Sequence, residues 1–554
     1  LGARNPDYEL VIDPTYEWHT FYGCPNTDYG HGLTVTADGI YVIGTSYGSW
    51  NGDGDTPPIH GHSGGLSDVA ILKLDTAGIY QWHTFYGSAE AHWDYGWGIA
   101  VTSDGVYATG SSNATWKGDG DTPPIHAYSG ESDIFILKLD TAGTYQWHTF
   151  YGSHDYESCY SIAAKAGRLY VTGECQASWN GDGDTPPIHA HSGGSDIFIL
   201  KLDTAGIYQW HTFYGAPCNN PGYGIAITAD GVYVTGESGC IWKGDEDTPP
   251  IHAYSGISDI FILKLDTAGT YQWHTFYGAV MYGDRGWGIA AMTDGVYVTG
   301  YSCATWNGDG GKLPIHAHSG GTDIVILKLN TAGIYQWHTF YGATFQGDRG
   351  WGIAVTTDGI YVTGDSYATW NGDEGQPPIH AYCGDDDFVI LKLNTAGAYE
   401  WHTFYGSTDY EIGQGIAVTA DGVYVTGYGK APWNGDGNTP PIHACKESED
   451  IVVLKLSLVS TRYVYSNGTC GGKTPCHTTI EKAVDASSTD TLILIAAETE
   501  PHAGDFTLNA DKDLTLQGGW DKSFQNPNGG ITTLKGAPKA PQGSLTLQNL
   551  NIKP

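Results

Sequence analysis

Seven times along the chain an acidic loop reads close to Trp-Asn-Gly-Asp-Gly-Asp-Thr-Pro-Pro-Ile-His, and its oxygen-bearing side chains are the first whose types and spacing suit chemistry. Carboxylates at alternate positions of a tight turn can be aimed inward at a calcium ion. Asp53 and Asp55, Asp119 and Asp121, Asp182 and Asp184, and Asp245 and Asp247 carry that pattern. The second carboxylate gives way to Gly311, Gly375 and Asn438 in the last three copies, while the first persists as Asp309, Asp373 and Asp436. Calcium is therefore expected in the first four loops; the competing reading is that these Asp and Asn side chains cap the turn through their own backbone. One Trp and one His also recur in every loop, as Trp50 with His60 or Trp179 with His189. A single active site would break the repeat, so a His kept in all copies reads as packing, its imidazole bonded to backbone.

Ten cysteines, an even number, point to an oxidising compartment. Cys24 follows the first strand and Cys445 precedes the last, so a Cys24–Cys445 bridge would close a very long loop, adding about 4–5 kcal/mol at best in the chain-entropy description. Cys159 with Cys175 and Cys218 with Cys240 flank hairpins and are expected to bridge locally. Cys470 and Cys476, in CGGKTPC, close on each other or take a metal, and Cys303 with Cys383 is left by elimination. The alternative for the whole set is free buried thiols.

The elements that must hold these residues follow from a repeat. WHTFYG begins at Trp18, Trp82, Trp147, Trp210, Trp273, Trp337 and Trp401, a spacing of 63 to 65 residues. Between copies lie a hairpin, the acidic loop, a DIFILKL-like strand and an (N/D)TAG turn, giving four strands per period. Gly224–Thr228 and Val232–Gly236 form such a hairpin around Asp230-Gly231, a dipeptide that supplies positive φ. Asp196–Leu202 is apolar almost throughout, as a strand buried on both faces is. The array opens with the fourth strand alone, Tyr16–Gly23, and ends on a third strand, Asp450–Leu456, with no fourth to follow. The expected fold is therefore all-β: a seven-bladed β-propeller whose N-terminal strand completes the last blade and removes the open edges of a solenoid.

The order DGVYVTG, Gly-rich loop, SDIFILKL, (N/D)TAG, YQWHTFYG and a variable stretch ending in GIAVT resembles the bacterial SBBP-type β-propeller repeat over residues 16–456. The resemblance implies a secreted or surface-attached bacterial protein and no reaction. The loop WNGDGDTPPIH is more acidic and uniform than that family's. After residues 1–15, an extension, and 16–456, the propeller, come a junction, 457–462, and a C-terminal module, 463–554. There a helix near Thr478–Ala486 and strands at Thr491–Ala496, Asp505–Leu508, Leu514–Gln517 and Ser544–Leu547 resemble the opening coils of right-handed parallel β-helix proteins.

Sixty-one acidic against 25 basic residues, a net charge of −36, argue against nucleic acid as partner, because phosphate binding needs clustered Lys and Arg. No apolar run is long enough to span a membrane. A start at Leu1 reads as a processed mature chain or a numbering begun after processing. Function then divides three ways. A structural protein assembling head to tail with copies of itself through an open C-terminal strand edge, residues 505–554, is the first, the alternative for that edge being a chain cut short of a longer solenoid. A surface adhesin is the second, binding glycan or protein through the variable connections from Cys24–His31 to Ser407–Gln414, which hold Tyr, Trp, Asp, Arg285 and Arg349. A polysaccharide-active enzyme, resting on fold analogy, is the third.

Overall fold

A computed structural model describes residues 14–446, 448–458, 460–465, 476–486, 491–496, 502–503, 513–520, 532–535, 538–539, 544–548 and 550–553. Packing divides the chain into two units, Trp18–Lys455 and the remainder.

The larger unit is a β-propeller-type array of four-stranded antiparallel sheets, seven among the described residues, two of them joined by a short parallel pairing of Gly321–Thr322 with Gln346–Gly347. One sheet runs Asp94–Thr102, Gly105–Ser112, Asp133–Leu139 and Tyr145–Tyr151 in spatial order. Its third strand is apolar from Ile134 to Leu137 and at Leu139 because its two faces feed different cores. Ile134 and Ile136 pack with the following sheet, around Val171 and Phe198, whereas Phe135, Leu137 and Leu139 pack with the preceding one, around Ile43 and Ile71. Burial of this kind, found at six junctions between neighbouring sheets, is the main stabilisation of the array.

The N-terminal strand Thr15–Tyr22 pairs with Asp450–Ser457, the third strand of the last sheet. Phe21 N–H donates to the His443 carbonyl at 3.1 Å, and Trp18, Tyr22, Tyr424, Ile451 and Val453 share a core with Val42 and Leu72 of the first sheet. First strands of successive sheets contact one another in a cycle, the last, Glu411–Thr419, lying against the first, Asp28–Thr36.

The disulfides differ from expectation. Cys218 and Cys240 are bonded, but Cys24, Cys159, Cys175, Cys303, Cys383 and Cys445 are free thiols. Flanking a hairpin is not sufficient: the register pairs Cys159 with Gly173 and Cys175 with Glu157, so the two cysteines are offset along the ladder. Cys159 Sγ meets the Thr172 carbonyl at 3.4 Å and Cys175 Sγ the Asp196 carbonyl at 3.6 Å. Cys445 Sγ turns to the carbonyls of Lys446 and Ser448, and Cys24 Sγ accepts from Asn26 N–H, so the expected staple does not form. Cys303 Sγ lies 3.7 Å from Thr322 Oγ1 rather than beside Cys383. Cys470 and the Cys476 side chain lie outside the described residues.

In the smaller unit Ser460–Val464, Thr491–Ala496, Asp513–Trp520 and Ser544–Gln548 pair in parallel in that order, and His502–Ala503, Thr532–Lys535 and Leu550–Lys553 form a second parallel sheet. A helix, Ile480–Ala486, covers a core of Val464, Ile493, Ile495, Leu514 and Leu516. The strand expected at Asp505–Leu508 lies outside the described residues. Among the described residues no helix is long and apolar enough to cross a membrane.

Candidate functional site

Every first strand slips register by one residue. Pairing passes from Gly96 to Gly98 against consecutive residues of the second strand, leaving Trp97 as a bulge. His31, Tyr160, Tyr223, Trp287, Trp351 and Gln414 occupy the same position in the other sheets. A bulge re-aims the extra side chain, and here it turns each one toward its counterparts on the neighbouring first strands. Ring centroids lie 4.1 Å apart for His31 and Trp97, 5.9 Å for Trp97 and Tyr160, and 5.1 Å for Tyr160 and Tyr223. Tyr223 and Trp287 follow at 4.0 Å and Trp287 and Trp351 at 4.4 Å; His31 Nδ1 closes the far side on Gln414 Oε1 at 2.5 Å. Burial holds His31 neutral by pushing its pKa down to about 4. The flanking glycines let the strands approach: a β-carbon on Gly32 would lie 2.9 Å from the Trp97 carbonyl oxygen, and one on Gly98 3.0 Å from Ile162 N. This girdle of aromatic faces can stack on a flat apolar partner, and within it the Tyr160 hydroxyl donates to Glu174 Oε1 at 2.6 Å. Sequence reading missed it, although the signal, an aromatic ring between two glycines in five of the seven repeats, was present.

The recurring Trp and His residues are structural. His83 stacks on Trp50 at 3.9 Å, its Nε2 lies 3.0 Å from the Trp50 carbonyl and its Nδ1 2.7 Å from Tyr80 Oη. The loop histidine, His60, bonds the Phe85 carbonyl through Nδ1 at 2.7 Å and stacks on Tyr86. Tyr86 Oη in turn donates to Asp119 Oδ1 of the next loop at 3.1 Å. The first aspartates of the acidic loops are thus latches between sheets: Tyr22 holds Asp53, Tyr151 holds Asp182 and Tyr214 holds Asp245 in the same manner. The second aspartates, Asp55, Asp121, Asp184 and Asp247, are exposed at the end of a short 3-10 turn with φ near +60°, where Asp121 pairs with Lys117 and Asp247 with Lys243. Among the described residues no group of three or more His, Cys, Asp and Glu side chains is arranged to hold a metal ion.

The variable connections display apolar side chains. Phe345 is 82% exposed and Met281 74%, each at a non-glycine position with positive φ, a conformation uncommon enough to mark a site. Arg285 and Arg349 are less available, because they pair with Glu237 and Asp365. A cleft of about 680 Å³ opens between the first loop, Ser49–Asp55, and Ile442, His443 and Lys446 of the last.

No family model matches the chain. A curated relative, the regulatory protein FlaEY of Caulobacter vibrioides, is 27% identical over 390 residues, 65% of this chain. The match spans 38% of that protein's length. Among solved structures, the Pan2 WD40 domain of Neurospora crassa aligns with 81% of the chain and 96% of its own at 7% identity and a TM-score of 0.37. Sqt1 of Chaetomium thermophilum aligns over 82% and 100% at 10% identity and a TM-score of 0.34. The N11 neuraminidase-like protein of an influenza A virus of the flat-faced bat aligns over 80% and 94%, also at 10% identity and 0.34. Scores this low carry no argument, so the fold assignment rests on the sheet topology above.

Proposed function

We propose that the protein is a secreted bacterial structural protein: a seven-bladed β-propeller of the SBBP repeat type carrying a β-helix-like module through which copies join head to tail. The observation that carries this reading is the outer edge of the C-terminal parallel sheets. Ser544–Gln548 and Leu550–Lys553 are last in their sheets, and Leu547 and Ile552 on them are 37% and 43% exposed. Among the described residues no strand pairs with these outer edges, and a parallel edge with apolar side chains is a template for a further strand, from the chain's own continuation or from another copy. A heterologous contact of that kind, unless it closes into a ring, propagates as a fibre or layer. Electron microscopy and size-exclusion chromatography of the full chain and of a chain truncated after residue 457 test it. Filaments or high oligomers from the full chain that vanish on truncation are expected; monomers at high concentration overturn the reading.

Phe345 and Met281 favour a second reading, in which the variable connections bind glycan or a surface protein. Saturable binding on a glycan array or to a cell surface, weakened tenfold or more by Phe345→Ala, would put adhesion first.

A further inference from the structure

Where one sheet passes to the next, two buried carboxyl groups face each other across a glycine. At the junction before the last sheet these are Asp387, which opens a third strand, and Glu411, which opens the following first strand. A β-carbon on Gly406 would lie 2.5 Å from Asp387 Oδ1 and 2.6 Å from Glu411 Oε2, so the two oxygens converge on one point. Two carbonyls of the connection lie on the other side of Asp387: a β-carbon on Gly384 would meet Ser407 O at 2.4 Å, Asp409 O at 2.7 Å and Asp387 Oδ1 at 3.1 Å. Asp387 has no exposed surface, and among the described residues its Oδ1 accepts no hydrogen bond. The pairing recurs at five further junctions, among them Asp68 with Asp94 and Asp259 with Asp284.

Glu411 accepts from Ser407 N–H and Oγ at 2.6 and 2.7 Å and Asp387 Oδ2 accepts from Cys383 N–H at 2.7 Å, but Asp387 Oδ1 is left unpaired, and a buried carboxylate oxygen facing other oxygens is costly unless a cation or a proton lies between them. The seventh junction is the internal control. There Asn220 stands where Glu411 does, and its Nδ2 donates to Ala216 O at 2.9 Å and Cys218 O at 3.2 Å, the counterparts of Ser407 O and Asp409 O. Where one carboxylate is missing, a hydrogen-bond donor fills the oxygen cage.

We propose that the six two-carboxylate junctions are calcium sites, each built from the carboxylate opening a third strand, the carboxylate opening the next first strand and the carbonyls of the connection between them. Mixed carboxylate and carbonyl oxygens in an irregular cage suit calcium, which takes 6–8 oxygens in flexible geometry, better than magnesium, which demands an octahedron and keeps its waters. The ions would tie each sheet to the next at the base of the variable connections.

The test is calcium content by mass spectrometry, and calcium titration by calorimetry, on the full chain after chelation and reloading. Six ions per chain are expected, one for each two-carboxylate junction. Asp387→Asn with Glu411→Gln should lower the number by one. Asn220→Asp, which adds the missing carboxylate and does not depend on the first variant folding, should raise it by one. Asp182→Asn with Asp184→Asn, in an acidic loop, should leave it unchanged. Failure to retain calcium, a count indifferent to both junction variants, or loss confined to the loop variant overturns the proposal. So does a chelated protein whose melting responds to pH but not to calcium, which would assign the pairs to a shared proton.

Discussion

The Trp–His stacks make single side chains answer to pH. His211 is fully buried, stacks on Trp179 at 3.9 Å, lies 3.0 Å from the Trp179 carbonyl through Nε2 and 2.7 Å from Tyr208 Oη through Nδ1. Desolvation lowers its pKa from 6.5 to about 4. Below pH 6.5 the unfolded chain therefore binds a proton that the folded chain refuses, and stability is lost as pH falls from about 6.5 toward 4. His83, His148, His274, His338 and His402 are lowered by the same cause, so the effect repeats around the array. His211→Phe should keep an aromatic face on Trp179 but leave the carbonyl and the Tyr208 hydroxyl without a partner, costing about 1–3 kcal/mol at pH 7. Its melting temperature should then fall less than the wild type's between pH 7 and 5; an equal fall would show that His211 does not titrate in this range. The packing role of the repeated histidines was legible from their recurrence. The junction carboxylates were half legible: the aspartate opening each third strand is in plain sight, but Asp94, Glu157, Asn220 and Glu411 lie in the variable connections and change type, and only the fold brings them to their partners.

At the scale of the strand, the bulge and its glycines control how closely the first strands approach. Gly288 shows the constraint, since a β-carbon there would lie 2.9 Å from the Trp351 carbonyl oxygen and 3.0 Å from Thr299 Cγ2. The carbonyl belongs to the backbone of the next sheet and cannot rotate away, so Gly288→Ala should cost about 1–3 kcal/mol, read as a lower urea midpoint with an unchanged slope. Gly54→Ala is the contrast: a β-carbon there meets nothing within 4 Å, and its φ of +64° alone should cost about 1–2 kcal/mol. Strand boundaries were readable because each is set locally. The hairpin expected at Gly224–Thr228 and Val232–Gly236 is observed as Gly222–Ile227 and Val232–Ser238, with Asp230-Gly231 between them. Register was not readable, because the slip at Trp97 and the offset of Cys159 from Cys175 are decided by the neighbouring strand, and a hairpin's flanks alone do not reveal which residues face each other.

Across the whole larger unit, the closing contact joins residues some 400 positions apart: His19 stacks on Trp433 at 3.6 Å, and Ile442 N–H donates to the His19 carbonyl at 2.9 Å. Removing residues 1–22 should leave Asp450–Ser457 as a bare edge, lower the melting temperature by several degrees and promote aggregation. A synthetic peptide of residues 14–24 should restore the midpoint by adding the strand in trans; a truncated chain as stable and soluble as the full one would show that closure contributes little. Contacts so distant in sequence also make folding slow, and refolding of the full chain should lag behind that of the truncated one by about tenfold or more in stopped-flow fluorescence. Closure was legible because the repeat begins and ends out of phase, whereas the expected covalent staple depended on thiol directions that no spacing reveals. The same arrangement imposes an order on biosynthesis. Thr15–Tyr22 leaves the ribosome about 430 residues ahead of its partner, so at ~5–20 residues per second it waits on the order of 20–90 s as an unpaired amphipathic segment. The piece that finishes the ring is made long before the strand it pairs with, and a nascent chain of this design must be kept from spending that interval in the wrong company.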